Sequence, residues 1–145
     1  MKTKLLHEVD GKRTFAVVLS TGDEAMAALK SFAKAESIGG AQITAIGALE
    51  KAKLAYFDWE SKTYLPILVV EQVEVASLIG DIAIGPDGEP SVHAHAVLGK
   101  RSGAALAGHL EEGQVRPTLE VIVTESPEHL CKTKDMDTGL ALIRL

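Results

Sequence analysis

The chain has 145 residues, 46% of them hydrophobic, and carries 15 Lys and Arg against 20 Asp and Glu, a formal net charge of −5. That length suits one domain over residues 1–145 whose core needs no covalent staple, since a chain of about this size buries roughly 68–70% of its unfolded surface. The acidic balance, without a run of five like charges, gives no footprint for phosphate backbones, and no uninterrupted stretch of 18 apolar residues offers a membrane-spanning helix.

The first residues, MKTKLLHEVDGKR, contain lysines but no apolar core of signal-peptide length. Together with a lone cysteine, Cys131, which allows no intramolecular disulfide, this leads to the expectation of a cytoplasmic protein. Residues 13–20, RTFAVVLS, are rich in β-branched side chains and read as a strand. Thr21-Gly22-Asp23-Glu24 fits a capping box, in which a Thr hydroxyl and a Glu three residues on satisfy each other's backbone donors, and predicts a helix starting there. Ala25, Met26, Ala28, Leu29, Phe32 and Ala33 recur at helical spacing while Lys30, Lys34 and Glu36 point elsewhere. One amphipathic helix therefore runs to about Ser37, stopped by Gly39-Gly40.

Beyond it come seven strand-like segments: AQITAIGAL (41–49), KAKLAYFDW (51–59), YLPILVV (64–70), EQVEVASLIGDIAI (71–84), SVHAHAVL (91–98), TLEVIVTE (118–125) and TGLALIRL (138–145). Their linkers are short, and Gly85-Pro86-Asp87-Gly88 suits a type I turn closed by a left-handed Gly, so residues 73–84 and 91–98 should form a hairpin. The pattern predicts an α+β fold, a mostly antiparallel sheet with one main helix packed on it. One helix cannot cover so much sheet, so part of the apolar surface should be buried against other copies of the chain.

Three of the five histidines lie between residues 91 and 110. In a strand, His93 and His95 project from one face with Cβ atoms about 6.5–7 Å apart, close enough for two imidazoles to converge on one ion. His109, beyond the connection from Gly99 to Gly108, is the natural third ligand. Three imidazoles at about 2.0–2.1 Å would leave a tetrahedral zinc-like divalent ion with one open coordination position. The opposing reading is that the rings merely satisfy themselves on a sheet face or line a subunit contact, and spacing alone leaves both standing.

Asp81 falls across from His93 if the hairpin keeps its register, where a carboxylate would orient the imidazole. A slip of one residue would send it to the other face. Glu120, on the polar face of TLEVIVTE, is a candidate catalytic general base beside such an ion, or a solvated residue paired with Arg116. His7 and His129 have no partner at ligand spacing, and Cys131 reads as an incidental thiol. A His-x-His strand also occurs in cupin enzymes, but the Glu expected a few residues on is replaced here by Ala96, Val97, Leu98 and Gly99.

Taken in order, GDEAMAALKSFA, AIGALEKAKLAYFD, EQVEVASLIGDIA, VHAHAVLG, GHL, VRPTLEVIVTE and DTGLALI resemble the PPC (plants and prokaryotes conserved) domain family over nearly the whole chain. The resemblance implies a largely antiparallel sheet with one main helix and assembly as a homotrimer. It also implies a metal site whose ligands are the His-x-His and Gly-His elements, here His93, His95 and His109. An unidentified small-molecule ligand at the open position is a further expectation, and the substrate and any reaction are unknown. The family's plant branch implies the alternative of a DNA-binding or transcription-regulatory protein. This chain has no Arg-Gly-Arg-Pro AT-hook, and it reads EQVEVA where plant members carry Gly-Arg-Phe-Glu-Ile-Leu.

Overall fold

The computed structural model describes residues 1–126 and 129–144. Nine strands and one helix occur among them, in the order β1 (Lys2–Val9), β2 (Lys12–Ser20), α1 (Ala25–Ala35), β3 (Gly40–Asp58), β4 (Thr63–Val69), β5 (Val73–Ile84), β6 (Pro90–Gly99), β7 (Ala105–Glu125), β8 (Cys131–Lys134) and β9 (Ala141–Arg144). The α+β, mostly antiparallel architecture expected from the sequence is present. Among the described residues, only the β5–β8 contact, a single Ile84–Cys131 pairing, is parallel.

The order β1-β2-β7-β3-β5 forms the main path of the sheet, with β4 added to β3. β6 pairs with β5 on one side and with the start of β7 on the other, while β3 joins β5 to β7. These four strands therefore close into a ring. Such closure is possible because β3 and β7 are long, at 19 and 21 residues, and carry register shifts that bend them.

Alternation gives the sheet two distinct faces. On one, Leu19 of β2, Ile43 and Leu49 of β3, Leu78 and Ile82 of β5, Ala94 and Leu98 of β6, and Leu119 and Val121 of β7 are buried with Leu29 and Phe32 of α1 in a single core. Arg13 on β2 closes one end. Its guanidinium donates to both carboxylate oxygens of Glu125 at 2.7 Å and to the Glu36 carbonyl at 2.9 Å, tying two strands to the end of the helix. The other face is open: Ile46, Ile79 and Ile122 are all exposed there.

Four local expectations are corrected. The helix begins later than the capping box places it. Glu24 is the N-cap, its carboxylate accepting from Met26 N at 3.2 Å and Ala27 N at 2.7 Å, and Thr21 instead donates to the Pro117 carbonyl at 3.3 Å. Glu24 wins because its Oε1 also accepts from Gly113 N of β7 at 2.9 Å, so one carboxylate satisfies donors on two elements. Segments 41–49 and 51–59 are one strand, since Glu50 merely points outward along continuous backbone. β7 starts at Ala105 rather than Thr118, because residues 109–115 pair with β3. β1 has no counterpart in the sequence reading, although Asp10-Gly11, with φ of 50° and 75°, is the tight turn that joins it to β2. Elsewhere the predicted hairpin forms: Gly88, at φ 80°, donates to the Gly85 carbonyl at 3.0 Å. The strand predicted to end at Leu145 is described to Arg144, and Leu145 lies outside the described residues.

Replacing Glu24 with Ala should lower unfolding free energy by about 1–2 kcal/mol, as a lower urea midpoint at unchanged m-value. A midpoint equal to that of the parent would show that Glu24 caps nothing of consequence.

Candidate metal centre

The β5–β6 and β6–β7 pairings place the site residues in two adjacent rows on the open face. In one row Ile79, His95 and His109 lie side by side on β5, β6 and β7. In the next, Gln42, Asp81 and His93 do so on β3, β5 and β6. His93 and His95 share a face through the period of two, and their strand's other face, Ala94, Ala96 and Leu98, is buried in the core. The predicted register of Asp81 opposite His93 is the one observed.

Geometry then brings the imidazoles together. Ring centroids are 5.1 Å apart for His93–His95, 5.1 Å for His93–His109 and 5.6 Å for His95–His109. One ligand nitrogen from each lies within 4.8 Å of the other two. A tetrahedral ion at 2.0–2.1 Å asks for nitrogens about 3.3 Å apart, so binding one would draw the rings inward. The three histidines form a group that could hold a metal ion.

The surroundings fit such a use. His109 Nδ1 is buried and makes no hydrogen bond, an unusual state for a polar atom inside a protein and one that a cation would relieve. Burial, followed by the neighbouring His93 and His95, depresses the His109 pKa to about 4. His95 is lowered too, by burial first and then by His93. Both rings thus stay neutral at physiological pH, the form that ligates metals.

Asp81 faces His93, with Oδ2 3.3 Å from Nδ1, and its Oδ1 lies 2.5 Å from Lys132 Nζ. Burial pushes the Asp81 carboxyl upward, but the contacts with His93 and Lys132 outweigh it and hold the group ionised. Tyr64 of β4 stacks on His109 with centroids 4.9 Å apart. Neither Lys132 nor Tyr64 is placed at this site by the sequence. Both approach through strand neighbours, which leaves no spacing signature.

The remaining candidates lie elsewhere. Glu120 is exposed and pairs with Val18 and Ile46, so β3 and β5 separate it from β6, about 14 Å along the sheet at 4.7–4.9 Å per strand. Arg116 pairs with Glu50 at 3.3 Å rather than with Glu120. His7, His129 and Cys131 are exposed. Among the described residues, no helix is long and apolar enough to cross a membrane.

A mostly antiparallel sheet packed against one short helix, with a His-x-His strand facing a third histidine, defines the class. The model of the Plants and Prokaryotes Conserved (PCC) domain matches residues 6–127, and the chain belongs to that family. Among solved structures, it is similar to a plant- and prokaryote-conserved protein of Pyrococcus horikoshii, at 37% identity and TM-score 0.86 over 92% of each chain. It is similar as well to a metal-containing protein of Archaeoglobus fulgidus, at 33% identity and TM-score 0.85 over 100% of each chain. A candidate DNA-binding protein of Bacteroides thetaiotaomicron shares 27% identity, at TM-score 0.84 over 95% of this chain and 94% of the other. A search of curated proteins gives no match.

Because the folded-state pKa of His109 lies below that of a free imidazole, the unfolded chain binds the extra proton first as pH falls. In metal-free protein the stability present above about pH 6.5 should therefore drop toward pH 4, by roughly 1–3 kcal/mol from this residue after solvent screening. Urea titrations of parent and His109→Gln should diverge in slope over that window. Parallel pH curves would show that His109 is not held neutral.

Proposed function

We propose that the protein binds one divalent metal ion per chain through His93, His95 and His109, with a coordination position left for a small-molecule ligand. The observation that carries this reading is the convergence of three imidazoles, one of which, His109, also has a buried Nδ1 without a hydrogen-bond partner. The metal-containing relative from Archaeoglobus fulgidus supports it. Three imidazole donors that leave a fourth position open favour zinc. When bound, such an ion supplies a Lewis acid at the open position.

The chain's own residues define what that position would meet. Asp81 faces the Nδ1 of His93 and leaves Nε2 free, Tyr64 backs His109, and exposed Ile79 borders His95 with hydrocarbon. The exposed isoleucines of the same face support the expected homotrimer, since a sheet face this apolar is stabilised by cover from another chain. Within one chain Glu120 stands too far away to move a proton at the site, so a general-base role for it requires a second copy to carry it there. A cytoplasmic setting suits the exposed, unpaired thiol of Cys131.

A second reading, DNA binding, draws on the Bacteroides relative, against a net charge of −5. It predicts duplex retardation that weakens steeply with salt. No retardation at low salt would remove it.

Elemental analysis of untagged protein should find about one zinc-like ion per chain, and native mass spectrometry should show a trimer. His93→Ala should abolish the ion while the thermal transition remains cooperative. Parent protein that stays metal-free after incubation with zinc would reject the metal reading, and a monomer at micromolar concentration would reject the assembly.

A further inference from the structure

Lys132 is the only buried charged residue among the described residues, its side chain 3% exposed. It lies on β8, beyond the 6–127 span of the family model. β8 reaches the site because Ile84 N, at the end of β5, donates to the Leu130 carbonyl at 2.7 Å, while Leu130 N donates to the Gly39 carbonyl at 3.1 Å. Those bonds anchor the returning chain where β3 begins, and the next turn of the pleat sends the Lys132 ammonium inward to Asp81. Pairing with β9, Lys132 opposite Ile143, holds the strand there.

A buried ammonium is costly unless a counter-charge meets it, and one stationed beside three metal-ligating imidazoles would by itself repel a cation. The geometry resolves this cost. Asp81 divides its two oxygens, Oδ1 to Lys132 at 2.5 Å and Oδ2 toward His93 Nδ1 at 3.3 Å. With one oxygen paired to a buried ammonium, the carboxylate is restrained from turning away from the ring. The His93 tautomer with its proton on Nδ1 is favoured, which leaves Nε2 as the free lone pair.

We propose that Lys132 is a positioning residue of the metal centre, acting through Asp81 to fix the ring and tautomer of His93. The proposal rests on the three-histidine reading, but part of its test does not need the metal. Carboxylate partners of ligating histidines are worth 10–100-fold in metal affinity. Lys132→Gln, which keeps much of the side-chain length, and Lys132→Met should therefore each weaken zinc affinity about tenfold or more, measured by competition with a chromophoric chelator. If Lys132 were simply a repelling charge, both changes would tighten binding, the opposite sign. Should the Met variant fail to fold, the Gln variant carries the measurement.

A double-mutant cycle separates positioning from general damage. In an Asp81→Asn background, Lys132→Gln should cost less than about threefold more, because its intermediary is already gone. A further tenfold loss in that background would overturn the proposal. In metal-free protein, long-range ¹H–¹⁵N spectra of the imidazoles should show His93 protonated on Nδ1 in the parent and a tautomer mixture in Lys132→Gln. A parent that binds no zinc refutes the metal reading alone. An unchanged His93 tautomer in the variant refutes the role of Lys132.

Discussion

The double pairing of β6 holds the site together. Its backbone bonds β5 along one edge and β7 along the other, and antiparallel register then dictates which side chains meet: His95 with His109, and His93 with Asp81. Register is quantised, so a one-residue slip on either side would turn the imidazoles into the core and Ala94 and Ala96 outward. The apolar set on β6 therefore protects the site as well as the fold. Gly80 of β5 adds a second constraint, since a Cβ there would collide with the His93 carbonyl, and its absence lets the two strands close at this point.

Each part of the molecule pays for a different requirement of that ring. α1 seals the core face with Leu29 and Phe32, and Glu24 fastens the start of the helix to β7. Arg13 fastens its end. These attachments leave the opposite face free of cover, and the histidines stand on that face next to exposed Ile79. A polar cluster bordered by hydrocarbon on a rigid sheet is a setting in which ligand binding and subunit contact compete for the same surface.

Electrostatics at the centre follow from partial burial. His109 is kept neutral by desolvation and by its two neighbours, whereas Asp81 stays ionised because an imidazole and an ammonium face it. The carboxylate is thus the fixed negative charge around which the rings are arranged, and Lys132 offsets it from below. Without that cation, one oxygen of the carboxylate would lose its partner and the orientation of Asp81 toward His93 would be less fixed.

Short-range patterns were enough for the sequence to determine the strand-rich class, the helical stripe, the Gly85–Gly88 turn and the common face of His93 and His95, because each depends on a period of two or 3.6 or on turn chemistry within a few residues. The Asp10-Gly11 signal for β1 was equally local and was there to be read. What only the tertiary structure decided is everything set by pairing across long separations: that β3 and β7 run unbroken, that Glu24 rather than Thr21 caps the helix, that His109 meets His95, that Glu120 stands apart, and that Lys132 returns to Asp81. The physical reason is that local periodicity states which face a side chain takes, while the neighbour across the sheet depends on register, bulges and chain return, none of which leaves a mark at fixed spacing.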